Sequence, residues 1–327
     1  MGIGVKIAGV GYYVPEKILD NAYFENIVDT NNDWIMQMTG IQERRMAAPE
    51  QATSDLGILA SKLAMEDAGI SAKDIEYVVH HSVTPDMIFP GTSCLVQHAL
   101  GIKDAGTLDV QAGCTGLIYA LSVGYAYIKA GLYKTILVIA GDCLTRITDY
   151  EDRNTCVLFG DGACAFVLTA TTEADSFKSF YVDGDGSFAE LLSQPCSGSR
   201  IPATHEALDK RLQYLKMDGP NTFKLAVTAM TNSANKVLKE ANMDSSQIDW
   251  LIPHQANMRI MESVAKKLKI SEEKVVKTIH KYGNTSATTL GIAFAELVKE
   301  GKIKRGDNIV FVSFGAGATW GATLFQY

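Results

Sequence analysis

The stretch Asp74-Ile75-Glu76-Tyr77-Val78-Val79-His80-His81 returns later in the chain as Gln247-Ile248-Asp249-Trp250-Leu251-Ile252-Pro253-His254, at an offset of 173. Each copy follows a helix-like segment, residues 55–68 in one case and 223–241 in the other. A second pair, TILVIA at 135–140 and NIVFVS at 308–313, keeps the same offset. Between them Gly113-Cys114-Thr115 aligns with Gly283-Asn284-Thr285 at an offset of 170, as Lys129 and Gly131 do with Lys299 and Gly301. A three-residue insertion before the last strand reconciles the two offsets. The apolar runs are near-continuous and rich in Val and Ile, which suits strands buried on both faces. They alternate with helical segments, so the chain is read as an α/β protein of two similar halves, 1–172 and 173–327. The halves divide at the polar run Thr171-Thr172-Glu173-Ala174-Asp175-Ser176.

The duplication makes Cys114 and Asn284 equivalent turn residues, and it places His254 directly after a strand that Pro253 has ended. Cys114 lies between Gly113 and Gly116, after an apolar run and before a helical segment at 117–130 that stops at Gly131. A thiol there sits at a helix N-terminus, where free N–H groups and the positive dipole end face the sulfur. Such a setting brings a cysteine from about 8.5 to roughly 3.5–7.5, so an available thiolate is expected. The competing reading of Cys114 is a small hydrophobe in a packed core. For His254 it is a hydrogen-bonded structural histidine, and for Asn284 a helix N-cap.

Composition bounds the function classes. With 327 residues, 47% hydrophobic and 20% charged, the chain builds a large core. A net charge of −7 argues against a general nucleic-acid binder. No apolar run reaches the roughly 18 residues of a membrane span. The opening residues run straight into strand-like sequence, so no secretory leader is expected. Cysteines 94, 114, 143, 156, 164 and 196 show no paired spacing, which fits reduced thiols in the cytosol. Asp183-Gly184-Asp185-Gly186-Ser187 hints at a calcium loop but lacks Gly at its sixth position and Glu at its twelfth, so no metal is expected. Phe159-Gly160-Asp161-Gly162-Ala163 lacks the Walker lysine and the dinucleotide spacing.

A resemblance spans essentially the whole chain. Its motifs are Asp33-Trp34-Ile35 with Thr39-Gly40-Ile41-Gln42-Glu43-Arg44-Arg45; Gly113-Cys114-Thr115-Gly116; Asp152-Arg153; Phe159 through Ala163; Pro253-His254-Gln255-Ala256-Asn257; Gly283-Asn284-Thr285-Ser286; and Phe314-Gly315 through Thr319-Trp320-Gly321. In this order they resemble the β-ketoacyl-acyl-carrier-protein synthase III family, condensing enzymes of the thiolase superfamily. The resemblance implies a thiolase-like fold, two pseudo-symmetric α/β halves in a five-layered αβαβα core. It implies decarboxylative Claisen condensation of an acyl-CoA primer with malonyl-acyl carrier protein, initiating fatty-acid synthesis. Cys114 would form the acyl-enzyme. Cys114 and Ala316 would supply the oxyanion-hole N–H groups. His254 Nε2 and the Asn284 amide would donate to the enolate left by decarboxylation.

By the same resemblance, Trp34 and Arg153 would sandwich the adenine of CoA and Thr30 would touch the nucleotide, while Gly219 and Asn257 would line the pantetheine tunnel. Phe89 would reach into a partner's acyl pocket in a homodimer, and Leu144 would line that pocket. Lys224, Arg259, Lys266 and Lys267 would dock the acidic carrier protein, against the plainer reading of a solvated helix face. No cofactor, membrane or nucleic acid enters this scheme, and the expected location is the cytoplasm. Two rival functions remain: a synthase III-like enzyme of a secondary-metabolite pathway with another primer, and a non-catalytic partner subunit. Met38 stands where many relatives have Arg, and Ala316 and Ala318 replace a commoner Gly and Phe.

Overall fold

The computed structural model describes residues 3–327; Met1 and Gly2, the start of the strand-like opening, lie outside the described residues. Nine strands form the two main sheets: β1 (Gly4–Tyr13), β2 (Tyr77–His81), β3 (Gly106–Val110), β4 (Thr135–Cys143), β5 (Asp161–Thr171), β6 (Phe177–Gly184), β7 (Trp250–Pro253), β8 (Asn308–Gly315) and β9 (Thr319–Gln326). The first sheet has the order β1-β5-β4-β2-β3 and the second β7-β8-β9-β6. Taken from the other edge, the second is β6-β9-β8-β7, which repeats the first four positions of the first sheet. The senses repeat too. β2 and β4 are parallel, as are β7 and β8, and the remaining neighbours in these runs are antiparallel. The counterpart of β3 is reduced to one isolated bridge, Leu251 with Val275.

Six helices matter for the site: α1 (Asn32–Thr39), α2 (Thr53–Ala68), α3 (Gly116–Lys129), α4 (Gly219–Glu240), α5 (Met258–Leu268) and α6 (Thr288–Lys299). α4 begins four residues before the helical pattern does, because Asp218 caps it and Pro220 sits in its first turn, where a missing N–H costs nothing. α3 and α6 pack between the sheets, α2 covers the outer face of the first and α4 the outer face of the second. The result is the five-layered αβαβα order expected from the resemblance. Phe166 and Phe311, one from each sheet, meet Phe294 of α6 in the central layer with ring centroids 5.7–5.8 Å apart. Burying each such side chain stabilises the fold by about 1.5–3 kcal/mol, so the contact between the halves contributes to stability. Among the described residues, no helix is long and apolar enough to cross a membrane.

The 173-residue offset is recovered at β8 and then fails. In the first half, 17 residues (144–160) connect β4 to β5, whereas Ala316-Gly317-Ala318 alone connects β8 to β9. The long connection carries the segment around Arg153, and the short one carries Ala316.

Candidate active site

Cys114 lies in a short 3-10 turn, Gly113–Thr115, that runs directly into α3. Gly113 has φ +54, and a Cβ there would stand 2.4 Å from the Ala316 nitrogen. A Cβ on Gly315 would stand 2.3 Å from the Cys114 nitrogen. The two glycines therefore let the Cys114 and Ala316 backbones come together with no side chain between them. A Cβ on Gly116 would strike the buried His81 ring at 2.0 Å, which fixes that position as well. From the opposite half, Ser313 Oγ donates to the Cys114 carbonyl at 2.7 Å and Thr319 Oγ1 donates to the Ala112 carbonyl at 2.8 Å.

The Asn284 turn is built on a different plan. Gly283 has φ +64 and ψ −155, and Ser286 has φ +62. A Cβ at Gly283 would lie 2.8 Å from the Leu158 carbonyl oxygen. The turn is held by backbone bonds to the other half: Asn284 N donates to Leu158 O at 2.9 Å, and Gly160 N donates to Asn284 O at 3.0 Å. Beneath it lies Arg44, fully buried. Its guanidinium binds the Val157 carbonyl, donates to Asn21 Oδ1 at 2.7 Å and stacks 4.3 Å from the Phe24 centroid. Asn284 is not the cap of α6, since Ala287 holds that position. Its Oδ1 accepts the Ser286 N–H at 2.9 Å, which assigns the oxygen inward and leaves the Nδ2 donors facing the cavity.

His254 follows β7 and is buried, and Gln255 secures its turn. Gln255 Oε1 accepts from Thr278 N at 2.9 Å, while its Nε2 donates to the Pro253 carbonyl at 2.6 Å. His254 Nδ1 meets Thr289 Oγ1 at 2.7 Å. Cys114, His254 and Asn284 line one cavity of about 720 Å³, open to the surface past Trp34, Met38, Gly219, Lys224, Asn257 and Arg259. Cys114 also lines a further, mostly apolar cavity of about 370 Å³ with Leu144, Phe159, Leu192, Ser286 and Ala316. The sulfur thus stands where two cavities adjoin.

Electrostatics overturns one expectation. Burial pushes the Cys114 thiol up to about 12, although its own N–H and the Ser286 hydroxyl oppose the rise. The site favours the thiol, because burial outweighs those two opposing groups and no cation among the described residues offsets it. Burial also lowers His254 to about 3, so its ring is neutral.

The remaining expected positions divide. Arg153 makes no ion pair among the described residues; its guanidinium lies 4.4 Å from the Trp34 centroid, so an adenine between them requires the two to part. The Thr30 hydroxyl has no partner among the described residues. Asn257 caps α5 through Oδ1 and donates from Nδ2 to the Met38 carbonyl at 2.8 Å, so both ends of its amide are anchored at the cavity wall. Phe89 is 83% exposed. Lys224 and Arg259 stand at the mouth of the larger cavity, and Lys266 and Lys267 are exposed in the last turn of α5. Sequence reading missed Thr289, Gln255 and the support from Arg44. Gln255 and Arg44 stood inside the quoted motifs, so their place was visible while their partners were not.

Comparison with known proteins agrees along the whole chain. The model for 3-oxoacyl-[acyl-carrier-protein] synthase III matches residues 108–199, and the model for its C-terminal part matches 238–327. The β-ketoacyl-[acyl-carrier-protein] synthase III of Caldanaerobacter subterraneus is 44% identical over 325 residues, covering 99% of this chain and 98% of that one. The crystal structure of 3-oxoacyl-[acyl-carrier-protein] synthase III from Aquifex aeolicus superposes with a TM-score of 0.91 at 41% identity, covering 99% and 100% of the two chains. A priming β-ketosynthase of the R1128 polyketide pathway superposes with a TM-score of 0.93 at 29% identity, covering 99% and 96%. The layered fold is thiolase-like, and the chain belongs to the β-ketoacyl-[acyl-carrier-protein] synthase III family.

Proposed function

We propose that this protein condenses an acyl-CoA primer with malonyl-acyl carrier protein, the step that initiates fatty-acid synthesis, through an acyl group carried on Cys114. The observation that carries this reading is the position of the sulfur, between an apolar cavity sized for an acyl chain and a larger one that reaches the surface. Cys114 attacks the thioester carbonyl, and the Cys114 and Ala316 N–H groups receive the oxyanion. The proton of Cys114 ends on the departing CoA sulfur, so the thiol need not be ionised beforehand. Malonyl-acyl carrier protein then enters the same large cavity and loses CO2. Asn284 Nδ2 and His254 Nε2 donate to the enolate oxygen, and the carbanion attacks the acyl group and expels the Cys114 sulfur as a thiolate, which takes a proton from solvent to restore the thiol. Both donors are neutral, so neither readily surrenders a proton to the carbanion.

Trp34, Arg153 and Thr30 receive the nucleotide end of CoA, while Gly219 and Asn257 flank its pantetheine arm. Lys224, Arg259, Lys266 and Lys267 receive the acidic carrier protein, with the Arg259 guanidinium braced 5.8 Å from the Phe223 ring centroid. Side chains and backbone amides carry each step without a cofactor. The apolar tip Met87-Ile88-Phe89 is exposed, which supports a homodimer in which Phe89 closes the partner's acyl cavity. The cytoplasm suits the six free cysteines. Intact-protein mass spectrometry after incubation with a series of acyl-CoAs tests the reading. One acyl group appears on Cys114 and is discharged by malonyl-acyl carrier protein; no adduct with any primer refutes it.

A further inference from the structure

Three polar contacts converge on one hydroxyl behind His254. Thr289 Oγ1 lies 2.7 Å from His254 Nδ1, 3.0 Å from the Ser286 carbonyl oxygen and 3.3 Å from the Gln255 backbone nitrogen. His254 and Thr289 are each 2% exposed, so no bulk water substitutes for these bonds. A hydroxyl has one proton to give. The Gln255 N–H can only donate, so it takes a lone pair of Oγ1. The Thr289 proton must then go either to the Ser286 carbonyl or to the ring nitrogen.

The lengths decide between them. O–H···O bonds centre on about 2.7–2.8 Å and N–H···O bonds on about 2.9–3.0 Å, so the hydroxyl donor makes the shorter bond. The 2.7 Å contact has the length of a hydroxyl donating to the ring, and is short for a ring N–H donating to oxygen. The 3.0 Å contact sits at the far limit for a hydroxyl donor, and the Ser286 carbonyl already accepts the Thr289 N–H at 3.3 Å. We infer that Thr289 is a positioning residue that donates to His254 Nδ1 and so holds the ring in its Nε2–H tautomer. The bond made by one ring nitrogen sets the protonation of the other.

The ring is neutral, held there by burial, so it carries a single proton. With Nδ1 accepting, that proton is on Nε2, the edge that faces the larger cavity. Nε2–H then points where the enolate oxygen forms, beside Asn284 Nδ2. The two donors share one support. Ser286 N orients the Asn284 amide, and Thr289, three residues on in the first turn of α6, orients the His254 ring. A single turn of chain therefore aims both hydrogen bonds.

The inference rests on the condensation proposed above and names what prepares His254 for its second half. Thr289→Val removes the hydroxyl and keeps the shape, and Thr289→Ser restores the hydroxyl. The two half-reactions are measured separately, acyl transfer to Cys114 by mass and decarboxylation of malonyl-acyl carrier protein by CO2 release. Thr289→Val lowers decarboxylation about tenfold or more, the factor that one lost hydrogen bond of about 1.4 kcal/mol gives, and Thr289→Ser recovers most of it. Acyl transfer stays within about twofold in both variants, since the Cys114 turn makes no bond to Thr289. ¹⁵N spectra of histidine-labelled wild-type protein, with His254 assigned by loss of its signals in His254→Gln, show a protonated Nε2 and a bare Nδ1. A protonated Nδ1 in the wild type, equal loss of both half-reactions in Thr289→Val, or unchanged decarboxylation overturns the inference. Failure of the wild type to acylate Cys114 overturns the condensation reading instead, and leaves the ¹⁵N result standing as an independent test of the tautomer.

Discussion

His81 and His254 occupy equivalent places in the two halves, each at the end of a buried strand and each under an active-site turn. Their surroundings give them opposite work. His81 Nδ1 lies 2.9 Å from the Val110 carbonyl, an acceptor only, so that nitrogen must carry the proton. His254 Nδ1 faces a hydroxyl that can donate to it. The His81 ring is wedged against Gly116 and supports the Cys114 turn, whereas the His254 ring borders an open cavity. The turns above them differ in parallel. Cys114 enters its helix at once and is clamped by side-chain hydroxyls of the other half, whereas Asn284 needs two left-handed residues, Gly283 and Ser286, and is clamped by backbone. A duplicated scaffold thus acquires two chemistries by changing the partner of one ring nitrogen and the path into one helix.

The sharpest way to break this comparison is to exchange or remove the turn residues. Cys114→Ala abolishes the acyl adduct and lowers condensation by at least about 10⁴-fold, the scale of losing a covalent nucleophile; a residual adduct by mass would locate the acyl group elsewhere. Asn284→Ala lowers decarboxylation by about 10²–10³-fold, as for one oxyanion donor, and leaves acyl transfer to Cys114 intact. Equal losses in both steps would erase the division between the turns. Gly283→Ala destabilises the protein by about 2–4 kcal/mol in urea unfolding, since φ +64 with ψ −155 suits only glycine and a Cβ meets backbone at 2.8 Å. Ser313→Ala is milder, about 1 kcal/mol, because it removes one side-chain bond to the Cys114 carbonyl.

A pH measurement separates the buried rings more finely. Burial lowers His254 from 6.5 to about 3 in the folded protein. Between those values the unfolded chain binds a proton that the folded one refuses. The neutral ring's contribution is therefore complete above pH 6.5 and lost as pH falls toward 3. Asp161, raised by burial to about 6, works in the opposite direction over part of the range, so the informative quantity is a difference. His254→Asn flattens the acid limb of stability by up to about 1.4 kcal/mol per pH unit relative to wild type. Parallel limbs in the two proteins would mean that His254 titrates normally when folded.

Much of this was legible in the sequence because strand repeats at fixed offset report topology directly. Two of the four shared strand positions in each half follow from the aligned segments around Tyr77, Trp250, Ile136 and Ile309. The lost counterpart of β3 was not legible, since Val275 contributes a single bridge with no strand pattern of its own. Nor was the collapse of a 17-residue connection into a hairpin, because offsets count residues and not distances. At the site, Cys114, His254 and Asn284 were visible as chemistry at punctuated turns. The acidity expected of Cys114 was misjudged because a helix terminus can be read from sequence while the depth of burial cannot. Thr289 was invisible for a related reason: it resembles any residue in the first turn of a helix until the ring across from it is known.

The placement of Cys114 where the two cavities adjoin also has a consequence for traffic. Under the proposed reaction the acyl chain lodges on the narrow side and both carriers come and go by the wide one, so the wide side admits one carrier at a time. Released CoA and incoming carrier protein must queue for the same passage. Under the proposed reaction, excess malonyl-acyl carrier protein shuts out the primer, and accumulated CoA shuts out the extender. The rate of chain initiation then responds to the ratio of the two carriers more than to the amount of either, a sensing property that needs no separate regulatory site.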